Sequence, residues 1–267
     1  MESILQKIIS GVQEDLQARQ RNLPLEEIQQ LAQERTPALD SYKALNQDGF
    51  QIIAEIKRSS PSKGILAAIT DPAELATQYV RGGAAMISVL TEERRFMGTL
   101  DDLKEVRQAV DIPILRKDFM VDEYQFYEAR AYGADMTLLI ASALDDAQLK
   151  DFYQLSHELE MDAMIETHSE SELERAANLG ANIIGVNVRN LKNLAVDPQH
   201  FTDLRDHFPD ALIVAESGVT GEDVVTGYAI HGAKAALVGE ALVRGNNPTQ
   251  NVQNYIAAGN TGLQMRA

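Results

Sequence analysis

Apolar positions along the chain follow two spacings. Ile4, Leu5, Ile8, Ile9, Val12 and Leu16 recur as on one face of a helix. A second helix is expected near Pro24, with Leu25, Ile28 and Leu31 on one face. From residue 50 the pattern changes to short, nearly continuous apolar runs alternating with helical segments. Strands are expected at Ile52–Lys57, Met86–Leu90, Ile114–Lys117, Met136–Ile140, Ala163–Thr167, Ile183–Val188, Leu212–Glu216 and Ala236–Val238. Runs of this kind suit parallel strands buried on both faces. Helix starts fall between them: Asp71-Pro72 with Glu74, Ser169 with Glu172 and, more weakly, Thr220 with Asp223. Eight strands, each followed by a helical segment, predict an α/β fold, the (β/α)8 TIM barrel. Residues 1–48 read as an N-terminal helical extension, and 1–267 as a single barrel domain.

A hidden period supports this topology. Gly-Ala precedes the even strands at 83/84, 133/134, 180/181 and 232/233, at intervals of 50, 47 and 52 residues. The odd strands follow turns containing Asp48, Asp111, Asp162 and Asp210. Turns favour Gly and Asp in any case, but the regularity fits four successive units of two strands and two helices.

Composition narrows the chemistry. Apolar residues make up 45% of the 267, enough for a sizeable core. Cysteine is absent, which excludes disulfides, thiolate nucleophiles and zinc–thiolate sites. It also fits a cytoplasmic location. No apolar run approaches a bilayer span, and the N-terminus, with Glu2, shows neither signal peptide nor anchor. A formal net charge of −16 repels nucleic-acid phosphates and anionic lipid, so neither partner is expected. A small anionic ligand would need a local island of positive charge.

In barrels of this kind the active site lies at the C-terminal ends of the strands. Those ends carry Glu55 and Lys57, Lys117, Glu166, Asn187 and Arg189, and Glu216. Residues two apart on a strand share a face, and alternate strands feed one interior layer. Lys57, Lys117, Glu166 and Glu216 all come from odd strands, so two lysines and up to three glutamates should converge at one mouth. An ion-pair network that merely plugs the barrel is the alternative, although packed aliphatics would do so with less desolvation.

Ser217-Gly218 follows strand 7 and Gly239-Glu240 follows strand 8. With a short helix over Ala241–Val243, these loops could form the phosphate cradle common in this fold, or serve simply as turns. The loop Arg58–Gly64 reads as a mobile lid bringing charge to an anion, or as a solvated loop. The five histidines lack metal spacing, so no metal site is expected; only His168 lies near a strand end, and none is given a role.

Six ordered motifs then carry a resemblance: Ile-Ala-Glu-Ile-Lys-Arg-Ser-Ser-Pro-Ser-Lys-Gly (53–64), Ser-Val-Leu-Thr-Glu (88–92), Leu-Arg-Lys-Asp-Phe (115–119), Ile-Glu-Thr-His (165–168), Gly-Val-Asn-Val-Arg-Asn-Leu (185–191) and Ala-Glu-Ser-Gly-Val (215–219). Over nearly its whole length the chain resembles the indole-3-glycerol-phosphate synthases of tryptophan biosynthesis. The resemblance implies conversion of 1-(2-carboxyphenylamino)-1-deoxyribulose 5-phosphate to indole-3-glycerol phosphate, with release of carbon dioxide and water. It implies Lys117 as general acid at the ketone oxygen and Lys57 as partner of the substrate carboxylate or as a further acid. Glu166 would be the acid or base of dehydration, with Glu55 and Glu216 orienting lysines and substrate. Asn187 and Ser217 belong to the same catalytic set. Arg189, Phe96, Phe119 and Leu191 would line the substrate site, although either phenylalanine could equally be core. Ser60, Lys63, Gly218, Gly239 and Glu240 would hold the phosphate.

Two positions depart from the family pattern: Val188 stands where a small polar residue is common, and Glu240 where some members have Ser. Glu240 is therefore expected to face solvent or Arg244, four residues on. The resemblance implies no cofactor and a monomer acting on a small molecule. Two other readings remain at this point, namely another phosphate-binding barrel enzyme of the same pathway and a non-catalytic ligand-binding barrel.

Overall fold

The structure, a computed structural model, describes residues 3–190, 194–244 and 247–266. Among them, eight parallel strands close into a barrel: β1 (Gln51–Ile56), β2 (Met86–Leu90), β3 (Ile114–Lys117), β4 (Met136–Ile140), β5 (Asp162–Thr167), β6 (Ile183–Asn187), β7 (Leu212–Glu216) and β8 (Ala235–Val238). Each pairs with its sequence neighbour, and β8 returns to β1. All eight expected strands are present, with ends within one residue of expectation. The corrections are that Lys57 and Val188 lie just beyond their strands and that Asp162 opens β5 rather than preceding it.

Strand parity sorts the core. Ile52, Ala54 and Ile56 of β1 face the surrounding helices in one cluster, while Ile53 joins Met86, Leu115, Met136, Met164 and Val214 inside the barrel. Each repeated Gly-Ala turn uses its glycine in the left-handed region, at φ of 92°, 97°, 70° and 111° for Gly83, Gly133, Gly180 and Gly232. A side chain would strain each of these turns, which accounts for the repeat.

The N-terminal helices are α1 (Ile4–Asn22), α2 (Leu25–Gln33) and α3 (Ser41–Leu45). They take three different places on the barrel. Ile8 and Val12 of α1 pack with Phe119 and Ile140 at the barrel mouth. Leu45 of α3 packs into the opposite end, where the Ser41 and Tyr42 amides donate to Asp162 and the Leu39 amide donates to Asp135. α2 lies at the side, with Ile28 against Tyr124. Leu31, expected on its buried face, is exposed, and Ala32 is buried instead.

The outer helices begin with α4 (Pro72–Arg81), α5 (Glu93–Phe96), α6 (Leu100–Ala109), α7 (Tyr124–Tyr132), α8 (Asp146–Glu158) and α9 (Glu170–Asn178). They continue with α10 (Gln199–Leu204), α11 (Glu222–Ile230) and α12 (Pro248–Arg266). Asp71 caps α4 by accepting from the Glu74 amide, and Ser169 caps α9 by accepting from the Glu172 amide. Thr220 is not a cap: α11 starts after Gly221, which has no side chain to offer. The short helix after β8 is a 3-10 turn over Glu240–Leu242, one residue earlier than expected. Among the described residues no helix is long and apolar enough to cross a membrane.

Candidate active site

The uppermost interior layer comes from the odd strands, as barrel geometry requires. Its members are Glu55 of β1, Lys117 of β3, Glu166 of β5 and Glu216 of β7, all lining one cavity at the mouth. Strand 1 contributes Glu55 to this layer; Lys57 stands above it, outside the strand, and its ammonium pairs with Glu55. Lys117 Nζ donates to Glu166 Oε2 at 2.5 Å and to Glu216 Oε2 at 2.9 Å. Asn187 Nδ2 donates to Glu166 Oε1 at 3.0 Å, and the Arg189 amide donates to Asn187 Oδ1.

Charges in this layer differ because their surroundings differ. Burial works against the Lys117 ammonium, but Glu166, Glu216 and Glu55 raise its pKa above the usual lysine range. Burial alone would also raise Glu166; Lys117, with His168 beside it, overrides this and takes the carboxyl down to about 2. Glu216 is pushed up to about 8, first by burial and further by the Glu166 charge, against the pull of Lys117. One lysine thus lies between an ionised carboxylate and a carboxyl that carries a proton near neutral pH. Such an arrangement can donate and accept protons without moving side chains far.

A glycine makes the layer possible. Gly185 faces inward on β6, where a Cβ would come within 2.0 Å of Glu216 Oε1. Gly239 does the same for Glu55, whose Oε1 would lie 2.5 Å from an added Cβ. The left-handed φ of 69° at Ser217, unusual outside glycine, turns the chain into the mouth after β7. Ser217, Gly218, Gly239 and Glu240 line the cavity together, so the loops after strands 7 and 8 do meet.

The aromatic pair is also assembled. Phe96 and Phe119 line the cavity with ring centroids 6.1 Å apart, tilted by 40°. Arg189 lines it too, and its guanidinium reaches Ser62 Oγ at 3.3 Å in the loop after β1. Ser60 lines the adjoining space roofed by Ile4, Leu5 and Ile8 of α1. Lys63 is not gathered into the cavity: its ammonium holds Glu240, at 2.8 Å. Arg244 reaches the same carboxylate at 2.5 Å, as its spacing predicts. Despite partial burial, these two cations hold the Glu240 carboxyl below the ordinary range. Leu191 lies outside the described residues. Val188 is buried among the outward-facing core residues, away from the cavity.

Two residues of the site escape sequence reasoning. Gly185 appears in a motif, but its emptiness matters only because Glu216 leans into it. His168, given no role above, places Nε2 3.4 Å from Glu166 Oε1. Its position two residues after Glu166, at the C-terminal end of a strand, was the available signal.

The comparisons with known proteins agree with this geometry. A family model described as indole-3-glycerol phosphate synthase matches residues 5–255. The chain is 53% identical to the indole-3-glycerol phosphate synthase of Arthrobacter sp. (strain FB24), covering 99% of both chains. It is 52% identical to that of Paenarthrobacter aurescens (strain TC1), with the same coverage. Among solved structures, a 3-hexulose-6-phosphate synthase from Salmonella typhimurium matches with a TM-score of 0.65 at 12% identity, over 82% of this chain and 100% of that one. At that identity the likeness shows the shared barrel alone. The sequence relatives disfavour both a different phosphate-binding barrel enzyme and a non-catalytic barrel: the chain belongs to the indole-3-glycerol phosphate synthase family.

Proposed function

We propose that the cavity binds 1-(2-carboxyphenylamino)-1-deoxyribulose 5-phosphate and that the Lys117–Glu166–Glu216 cluster carries the protons of its conversion. The chain is a decarboxylating lyase of tryptophan biosynthesis that forms indole-3-glycerol phosphate. Three chemical events are required. The aromatic carbon bearing the carboxylate attacks the ketone, whose oxygen takes a proton. Carbon dioxide then leaves and restores the aromatic ring. Finally the new hydroxyl leaves as water while the adjacent ring carbon loses a hydrogen.

The observation that carries this reading is the Lys117 ammonium, fixed between two carboxyl groups of different proton affinity on the cavity floor. In this reading Lys117 protonates the ketone oxygen and Glu166 serves the dehydration. Lys57 and Arg189 supply positive charge for the substrate carboxylate, and Glu55 orients Lys57. Asn187 and Ser217 complete the polar wall, and Phe96 and Phe119 flank the anthranilate ring. The phosphate meets backbone N–H groups beside Gly218, Gly239 and Glu240, with Ser60 and Lys63 closing from the loop after β1. Lys63 reaches the phosphate once it lets go of Glu240.

We extend the reading to a monomer in the cytoplasm, acting on this small molecule and not on nucleic acid. The strongly acidic balance and the absence of cysteine support it. The direct test incubates the purified chain with the carboxyphenylamino-deoxyribulose phosphate, without added metal, and follows indole fluorescence. A rise in fluorescence with stoichiometric release of carbon dioxide is expected. A bound substrate that never closes its ring would overturn the assignment of the proton-carrying cluster.

A further inference from the structure

Written with its carboxylate ionised, the substrate gains two protons at the departing ketone oxygen and loses one at the ring carbon. One proton is therefore taken up from solvent in every turnover. The groups on the cavity floor are buried, so that proton has to be in place before the substrate covers them.

His168 is placed to supply it. The residue follows the end of β5, largely buried, and each ring nitrogen faces a carboxylate. Nδ1 lies 3.3 Å from Glu172 Oε2 on α9, whose carboxylate also accepts the His168 amide at 2.7 Å. Nε2 lies 3.4 Å from Glu166 Oε1 and is buried without another hydrogen-bond partner. Glu172 Oε2 accepts from the His168 amide, and Nδ1, beside the same oxygen, carries its hydrogen towards it. A neutral ring of that kind would set the Nε2 lone pair against a carboxylate oxygen. The geometry therefore calls for one more proton between Nε2 and Glu166 Oε1.

Beyond Glu172 this side of the barrel opens into a crevice shared with Ser3, which caps α1, Gln6 of α1, Asp197 and His200. His200, from α10, donates to the His168 carbonyl at 2.8 Å and so fixes the backbone rather than the ring. The other charged groups facing the pair are Glu216 on β7 and Lys117 on β3.

We propose that His168 is a positioning residue that keeps a proton at Glu166 Oε1, with Glu172 orienting its ring. The step is a proton transfer only: the imidazolium gives its Nε2 hydrogen to the Glu166 carboxylate and keeps its Nδ1 hydrogen towards Glu172, and the pair regains one proton from water through the cavity once the product has left. Burial works against the charged His168 ring, but Glu172, Glu166 and Glu216 outweigh it and raise its pKa, which favours a proton on the pair. The inference rests on the reading of Glu166 as the dehydration group.

The test is single-turnover rapid quench across a range of pH, on the parent chain, His168→Gln, Glu172→Gln and Glu166→Gln. In the parent, dehydration should slow as pH rises through the His168 pKa. In His168→Gln this limb should vanish, with dehydration slowed about tenfold, less than the hundredfold or more of a direct acid–base group. Ring closure and KM should stay within about twofold, below the scale of a lost binding contact. Glu172→Gln should move the limb to lower pH. An alkaline limb unchanged in both variants would overturn the proposal, as would a loss confined to KM. If Glu166→Gln dehydrates at the parent rate, the reading of Glu166 fails. If Glu166→Gln is slow while His168→Gln matches the parent, only the role of His168 fails.

Discussion

Lys117 keeps its charge in a place where a lone ammonium would lose it. Three carboxyl groups hold it, and two of them, Glu166 and Glu216, accept hydrogen bonds from its Nζ at 2.5 and 2.9 Å. Removing that ammonium leaves the buried Glu166 carboxylate without its counter-ion, beside a protonated Glu216. Lys117→Ala should lower kcat by roughly 10²-fold or more, with a smaller effect on KM. Steady-state kinetics check this, and a near-parental kcat would remove Lys117 from the acid's role. Glu216 gives a second prediction, about stability. Its folded pKa of about 8 lies above that of an unfolded glutamate. Stability owed to its protonated form is complete below the unfolded pKa of about 4.3 and is lost as pH rises through the folded pKa. Glu216→Gln cannot ionise. Its melting temperature should therefore rise relative to the parent between about pH 5 and about pH 9. Parallel melting curves for the two proteins over that range would show that Glu216 does not hold a proton.

The strand ends show how a four-residue element sorts chemistry by parity. On β3, Lys117 points inward while Arg116 points outward, followed by Asp118. The outward pair is itself buried: Arg116 Nη2 donates to Asp118 at 2.9 Å, and its Nη1 reaches Glu128 and the Gln125 carbonyl on α7. This network pins the strand from behind and fixes the direction in which Lys117 leaves it. Period-two reasoning therefore found Glu55, Lys117, Glu166, Asn187 and Glu216, because strand direction and burial alone decide their face. The same reasoning extended strand 1 through Lys57, where pairing has already ended, and it could not place Lys63, whose partner Glu240 lies 177 residues away. Nor could it find Gly185, since the sequence shows an absent side chain but not the carboxylate that fills the gap. Gly185→Ala tests that gap. The added methyl would occupy the position of Glu216 Oε1, so the carboxyl must turn away from Lys117. Stability should fall by about 1–3 kcal/mol, the usual cost of overpacking. A chemical-denaturation series reads this, and kcat should fall with it. An unchanged kcat in a folded variant would mean that the Lys117–Glu216 contact is dispensable.

At the scale of the whole molecule the two ends of the barrel are closed by different parts of one N-terminal segment. α3 seals the bottom with Leu45, tied to the starts of β4 and β5 through Asp135 and Asp162. α1 crosses the mouth, where Ile4, Leu5 and Ile8 roof the space next to Lys57, Phe96, Phe119 and Arg189. Its polar ties are at the rim: Arg94 holds Glu14 and Asp15, Arg95 reaches the Lys7 carbonyl, and Arg19 holds Glu128. The Arg94 pairs are exposed and contribute little to stability; the Ile8 and Val12 contacts with Phe119 hold the helix down. Sequence periodicity identified α1 as amphipathic but could not say which end of the barrel its apolar face would meet. The two closures should therefore separate on truncation. Removing residues 3–22 takes away the roof and leaves the bottom seal, so the barrel should keep its far-UV circular dichroism and its cooperative melt. KM should rise about tenfold or more, since a substrate under an open mouth stays hydrated and loses its apolar cover. Removing residues 3–45 also uncovers the barrel floor around Leu45 and leaves Asp135 and Asp162 without their amide partners. That variant should melt several degrees lower, on the scale of a few kcal/mol lost from a domain of this size. An unchanged KM after removal of 3–22 would show that α1 is packing for the barrel rather than a wall of its active site, because the apolar roof over Phe96 and Phe119 would then have no part in holding the substrate.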